Sequence, residues 1–209
     1  MVKAFLSDAA KQALTDAVHF VESRCSAELV VAVRARSGSY LHADLIAGLL
    51  AALASLIALL FSPWPFELIW FVIDPLVVGL LAGLAVSRLP AVRRALTFRR
   101  VRRRNVLTAA RATFVEKRVH GTTGRTGILL YISLLEREAA VIHDLGADTL
   151  ATTEGWRHAV ENIEEGVRRG DDGAAIAARV RELGDVLAPA LARSADDVDE
   201  LANEVCERP

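Results

Sequence analysis

The sequence predicts an α/β protein split by an inserted two-helix transmembrane hairpin. Three observations carry that expectation. The 51 residues between Arg36 and Arg88 contain no Lys or Arg and are mostly Leu, Ala, Ile, Val and Phe. The stretch 88–104 that follows holds eight arginines and no acid. On either side of the apolar block, short β-branched runs alternate with amphipathic helical segments, the pattern of an α/β domain.

The first helix is expected from Ser7, a good capping residue, through about Arg24. Its apolar face is Ala10, Leu14, Ala17, Val18 and Val21. It carries acids and is amphipathic, so it does not read as a signal peptide. Residues 28–36 (ELVVAVRAR) read as a strand, β-branched and then alternating.

The hairpin follows directly. Residues 43–61 and 68–86 are 19 residues each. At about 1.5 Å per residue each spans roughly 28 Å, close to the ~30 Å hydrocarbon core of a bilayer. Two prolines in the linker Ser62-Pro-Trp-Pro-Phe-Glu67 end the first helix, and Trp64, Phe66 and Trp70 suit a membrane interface. Neither segment has the polar face that a soluble helix needs. Positive residues stay cytoplasmic. The linker has none, whereas Arg34, Arg36 and the 88–104 block flank the opposite ends. Both termini are therefore expected in the cytoplasm, with the protein multi-pass in a cell membrane. Of 25 bases only Lys3, Lys11 and Lys117 are Lys, and Ala is abundant. That usage suggests a GC-rich bacterial genome and so an inner membrane.

Gly79-Leu-Leu-Ala-Gly83 is a GxxxG, and Gly48/Ala52 and Ala51/Ser55 are small-xxx-small pairs. They serve either hairpin packing or a homodimer face. Antiparallel pairing about Trp64 and Pro65 places Ser55 opposite Asp74, an intramembrane polar pair. Asp74 reads either as a proton or ion site or as a protonated carboxyl with no transport role. Asp44 lies near the inner interface and is expected to pair with Arg88.

Beyond the hairpin, residues 101–118 read as a helix, 121–127 as a loop, and 128–134 (ILLYISL) as a buried central strand. Residues 138–144 are another strand, 154–169 a helix starting near Thr153, and 173–188 a helix preceded by Asp171 and Asp172. The tail from Arg193 is acidic and expected to be partly loose. The domains are then 1–41, a hairpin at 42–88, a remainder at 89–192 and a tail at 193–209.

Particular strings resemble the TPM domain family. They are Phe114, the loop 122–127, GILLYISLLER (127–137), AVIHDLG (140–146), Trp156, Gly170, Gly173, ELGDVLAPAL (182–191) and the acidic tail Asp199-Glu-Leu-Ala202. The first helix and the strand at 28–36 fit the family's first α–β unit. The resemblance covers nearly all of the chain outside the hairpin. It implies a three-layer TPM-like sandwich with a small central sheet, here completed from both sides of the hairpin. The family includes plant thylakoid-lumen proteins linked to photosystem II repair, a nematode receptor-modulating protein and bacterial membrane-attached proteins. The resemblance therefore implies a binding or adaptor module for assembly, repair or modulation of another membrane protein. Acid phosphatase activity and Ca²⁺ binding are attributed to some members, so a membrane-anchored, metal-assisted phosphatase is the alternative. In place of the acidic Asp-x-Ala-Gly motif of plant-type members, this chain has Phe5-Leu-Ser-Asp-Ala9, which counts against that chemistry.

No residue set reads as a complete catalytic constellation, so the catalytic residues are unknown. The glycine-rich loop 121–127 lacks GxxxxGK[ST] spacing and precedes a strand, so it reads as a turn rather than a phosphate cradle. His143 and Asp144 fall at a strand's C-terminal end, where α/β proteins often bind ligands. With Asp148 they suggest a weak oxygen-ligand metal site for Ca²⁺ at Asp144 and Asp148. The five histidines form no zinc motif. Cys25 and Cys206 are the only cysteines, fitting a reducing compartment, and Cys25 reads as a buried thiol. Trp156 reads as a core anchor. The basic cluster Arg93, Arg94, Arg99, Arg100, Arg102, Arg103 and Arg104 reads as a topology determinant facing anionic lipids of the bilayer. It is compatible with docking the acidic C-terminal third, which holds 18 acids and eight bases. Without interleaved aromatics, nucleic acid is not an expected partner. The net charge of -1 hides this polarity, as the mean hydropathy of +0.31 hides the apolar block.

Overall fold

The computed structural model describes residues 5–193 and the backbone of 206–208. The chain is a mixed α/β protein. It divides into two compact units: Met1–Ser37 with Arg102–Pro209, and Gly38–Val101.

The first unit is built on a mixed sheet. Its strands are β1 (Glu28–Arg34), β2 (Gly127–Ser133), β3 (Glu138–His143) and a short β4 (Cys206–Arg208), in the order β3-β2-β1-β4. β1 runs parallel to β2 and to β4, and β3 is antiparallel to β2. Parallel neighbours need a long crossover. Everything from Ser37 to Arg102, together with the following helix, lies in the crossover from β1 to β2. An insertion there lengthens a connection that the topology already requires.

Both central strands are almost wholly buried, as their continuous apolar runs require. Alternation sends Leu29, Val31, Val33, Ile128, Leu130 and Ile132 into the larger core. There they meet helices α1 (Asp8–Glu22), α7 (Glu154–Arg169) and α8 (Gly173–Leu187). Val30, Ala32, Leu129, Tyr131 and Ala140 face the other way, onto Val106 and Ala110 of α5 (Arg99–Glu116). The sheet thus carries helices on both faces. Ser7 caps α1 as expected, and Thr153 and Asp172 also cap their helices: the three accept from the backbone N–H of Ala10, Trp156 and Ala175. α7 stops at Gly170, whose φ of +91° suits glycine. A short helix α6 (Asp148–Ala151) precedes it.

The second unit is the apolar hairpin. Helices α2 (Leu41–Leu60) and α3 (Trp70–Ser87) are long and apolar enough to cross a membrane. They start and stop within two residues of the expected bounds. A short helix α4 (Pro90–Ala95) follows within the same unit. Its start is set by Pro90, whose missing N–H costs nothing in a first turn.

The tail differs in part from expectation. Residues 206–208 form β4, adding a strand beside β1 rather than trailing loosely. The acidic stretch holding Asp199 lies outside the described residues.

Candidate functional site

The interior of the hairpin is a seam of small residues. A Cβ on Gly79 would lie 2.9 Å from Gly48 O, one on Gly48 2.8 Å from Gly79 O, and one on Gly83 3.2 Å from Asp44 O. Both glycines of the GxxxG therefore face α2 of the same chain, and close backbone approach is what they serve here. Leucine at Gly79 should force the helices apart. An expected cost of about 1–3 kcal/mol would appear as a lower melting temperature of the detergent-solubilised protein. An unchanged value would show that the seam yields.

The hairpin brings Ser55 and Asp74 together: Ser55 Oγ donates to Asp74 Oδ2. Pro75 follows inside α3, where the helix backbone is one bond short. At the other end, Asp44 meets Arg93 of α4 rather than Arg88. The Arg93 Nε and Nη2 donate to its two carboxylate oxygens at 2.8 and 2.5 Å. This is a correction with a simple cause. Helix α4 turns the chain back after α3, so the fork five residues further on reaches the carboxylate in bidentate geometry. Thr97 is buried, donates to Arg93 O at 2.9 Å, and lies 3.4 Å from His42 Nε2.

Within the α/β unit, the residues next to the hairpin converge on Glu136. It sits in the turn between β2 and β3, fully buried. Ser37 is the last residue before the hairpin unit, and its backbone N–H donates to Glu136 Oε1 at 2.8 Å. Arg102 is the first residue after it, and its Nη1 donates to the Glu136 carbonyl at 2.9 Å. Ser133 Oγ donates to the other carboxylate oxygen. Ser37 Oγ donates to Ser133 Oγ at 2.7 Å and lies 2.9 Å from the Tyr131 hydroxyl. Burial pushes the Tyr131 phenol up, against the lowering effects of the Ser37 contact and the Arg34 charge. The next residue, Arg137, takes a left-handed turn conformation, φ 51°. One glutamate thus holds both chain crossings of the insertion. Sequence reasoning passed over it. The available signal was an acid directly after an unbroken apolar strand, with Ser133 interrupting that strand.

The proposed metal pair is arranged differently from expectation. Asp144 is buried and faces Arg125, whose Nε and Nη2 each lie 3.2 Å from its oxygens, and it also accepts from Leu145 N. Asp148 turns to His143, 3.4 Å away. The two carboxylates have separate partners, and among the described residues no three His, Cys, Asp or Glu side chains converge. The strand-end argument fails too. β3 is antiparallel, so His143 pairs with Ile128 at the start of β2. The C-terminal edge of the parallel pair is where Ser37, Ser133 and Glu136 lie. Trp156 is a buried anchor, edge-on to His143 at 5.6 Å. Cys25 is buried, with Sγ donating to Val21 O at 3.2 Å. The Cys206 side chain lies outside the described residues.

The arginine cluster is not one surface. Arg93 holds Asp44 and Arg102 holds Glu136. Arg103 lies 3.8 Å from Glu164 of α7, at the edge of a groove of about 550 Å³ floored by Trp156 and Val160. Arg99, Arg100 and Arg104 are exposed, and Arg94 is half-buried.

Fold and site together define a mixed α/β protein with an apolar helical hairpin in its β1–β2 crossover. Among solved structures, the chain is similar to the NMR structure of the BA42 protein from the psychrophilic bacterium Bizionia argentinensis. The similarity has a TM-score of 0.60 at 15% identity and covers 98% of this chain and 96% of that one. It shows a shared fold. No protein-family model matches the chain, and no curated protein matches it.

Proposed function

We propose that this chain is an integral protein of a bacterial inner membrane. In this reading α2 and α3 span the bilayer, both termini are cytoplasmic, and a TPM-like α/β unit binds and modulates another membrane protein. The observation that supports this reading is the lateral surface of the two helices. Leu45, Leu49, Leu53, Leu76, Leu80 and Leu84 are all exposed, and each span is almost entirely unburied within the protein. Soluble monomers rarely expose contiguous apolar patches of this kind. A three-layer TPM-like sandwich, completed from both sides of the insertion, fits helices on both faces of the sheet.

Binding is favoured over catalysis by how the acids near the sheet are used. Asp144 is neutralised by Arg125, and Glu136 is spent on Ser37 and Ser133. A topology reporter fused at Pro65 should behave as extracytoplasmic and one at Pro209 as cytoplasmic; the same side for both would overturn the spanning reading. The purified protein should release no phosphate from a general phosphomonoester, with or without Ca²⁺ or Mg²⁺. Turnover abolished by Asp144→Ala and by Asp148→Ala would overturn the adaptor reading in favour of a metal-assisted phosphatase.

A further inference from the structure

The seam between α2 and α3 opens on one side into an apolar groove of about 440 Å³. Its floor is the close backbone approach at Gly48, Gly79 and Gly83. Its walls are exposed leucines: Leu45 and Leu49 from α2, Leu80 and Leu84 from α3. The groove has a direction. Its two hydrogen-bonding side chains, Asp44 and Ser87, lie where α2 begins and α3 ends. It stops at Ala52 and Pro75, and neither Ser55 nor Asp74, which hydrogen-bond just beyond, lines it. From Leu41 to Ala52 a helix rises about 16 Å, roughly half of a ~30 Å hydrocarbon core. With α2 and α3 spanning the bilayer, the groove is therefore one leaflet deep and has its polar mouth at the cytoplasmic interface.

We propose that this groove holds one acyl chain of a phospholipid from the leaflet at its polar mouth. The proposal rests on the membrane-spanning reading and deepens it. Length selects the occupant. A helix packed along the seam would continue through both leaflets, whereas an acyl chain ends at the bilayer midplane. Fixed side chains on both walls give that chain dispersion contacts that add up over its length. The mouth selects the lipid class. Arg93 Nε and Nη2 donate to the two Asp44 oxygens, and Ser87 Oγ donates to Leu84 O at 2.7 Å. The polar groups of the mouth are thus already engaged and suit an uncharged glycerol ester. A free fatty acid would instead bring a second carboxylate beside Asp44, at a Coulombic cost.

The test uses the full chain in nanodiscs of phosphatidylcholine with a minority of phosphatidylcholine that carries a diazirine on one acyl chain. Labelled residues are mapped by mass spectrometry after irradiation. Groove leucines should be labelled about ten-fold more than Leu53 and Leu81, which are exposed on the helices but do not line the groove. A diazirine near the ester should mark Leu84, and one near the chain terminus Leu76. Leu45→Trp and, from the other wall, Leu80→Trp fill the groove and should abolish the preference. Leu53→Trp should leave it unchanged. Equal labelling of groove and outer leucines would mean ordinary contact with surrounding lipid and overturn the site. Groove residues left unlabelled while Leu53 and Leu81 are labelled would mean that a protein helix, a second copy included, fills it, and would overturn the lipid. Equal groove labelling by a diazirine fatty acid of the same chain length would overturn the phospholipid as occupant. Alkaline carbonate washing of membranes separates failure of the site from failure of the spanning reading. A protein released by carbonate overturns the spanning reading and the site with it. A protein that stays, yet shows equal labelling, overturns the site alone.

Discussion

Gly127→Ala should strongly destabilise the α/β unit. Gly127 opens β2 opposite Glu28 of β1. A Cβ there would lie 1.9 Å from Val119 O and 2.9 Å from both the carbonyl carbon and Cγ1 of Val119. No side-chain rotation relieves a clash with backbone. Val119 is fully buried in the smaller core, and the Gly127 carbonyl is tied to Asp144 N at 2.9 Å. Neither partner can retreat without breaking the β1–β2 register or the packing under α5. We expect a loss of about 3 kcal/mol or more, at the upper end for overpacking. For a chain of this length that lowers the melting temperature by about 10 °C. Differential scanning of the detergent-solubilised protein reads it directly. A shift within two or so degrees of wild type, on the scale of a minor surface change, would show that Val119 moves aside.

Glu136→Ala should have the second largest effect, and a local one. It strips the acceptor from the buried Ser133 hydroxyl and from the Ser37 N–H, while the carbonyl that holds Arg102 remains. A buried donor left without an acceptor costs about 1–3 kcal/mol. The loss should be about 2–5 kcal/mol in total. Glu136→Gln retains one carbonyl acceptor and should cost less. Hydrogen exchange distinguishes a clamp from a general core defect. The Ser37 amide should lose protection in Glu136→Ala while amides in the α2–α3 seam keep theirs. Uniform loss along the chain would argue against a clamp.

Several parts of this molecule were legible because local chemistry decides them. The hairpin helices follow from two long, mostly apolar runs, the first ended by Pro63 and Pro65. The cap at Ser7 and the helix start near Thr153 follow from short polar side chains placed before periodic segments. The Ser55–Asp74 contact follows from counting residues back from a turn, because antiparallel helices have little freedom of register. Proximity to the inner interface misplaced the partner of Asp44, which is Arg93 rather than Arg88. A non-local ion pair depends on where α4 folds, and the arginines around it are chemically interchangeable.

What the sequence alone determined is which segments are helix, strand and apolar hairpin, and where the charge lies along the chain. Those properties come from side-chain periodicity and backbone preference within a few residues. Tertiary structure decided the direction of β3, and with it the removal of His143 and Asp144 from the edge where β1 and β2 end. It decided that Gly79 and Gly83 serve the hairpin itself, and that Arg93 and Arg102 turn to Asp44 and to the Glu136 carbonyl while Phe98, Arg99, Arg100 and Arg103 stay exposed. It also placed Ser37 and Arg102 on Glu136. These outcomes are contacts between residues far apart in the chain. They follow from how elements stack, which no short window of sequence encodes.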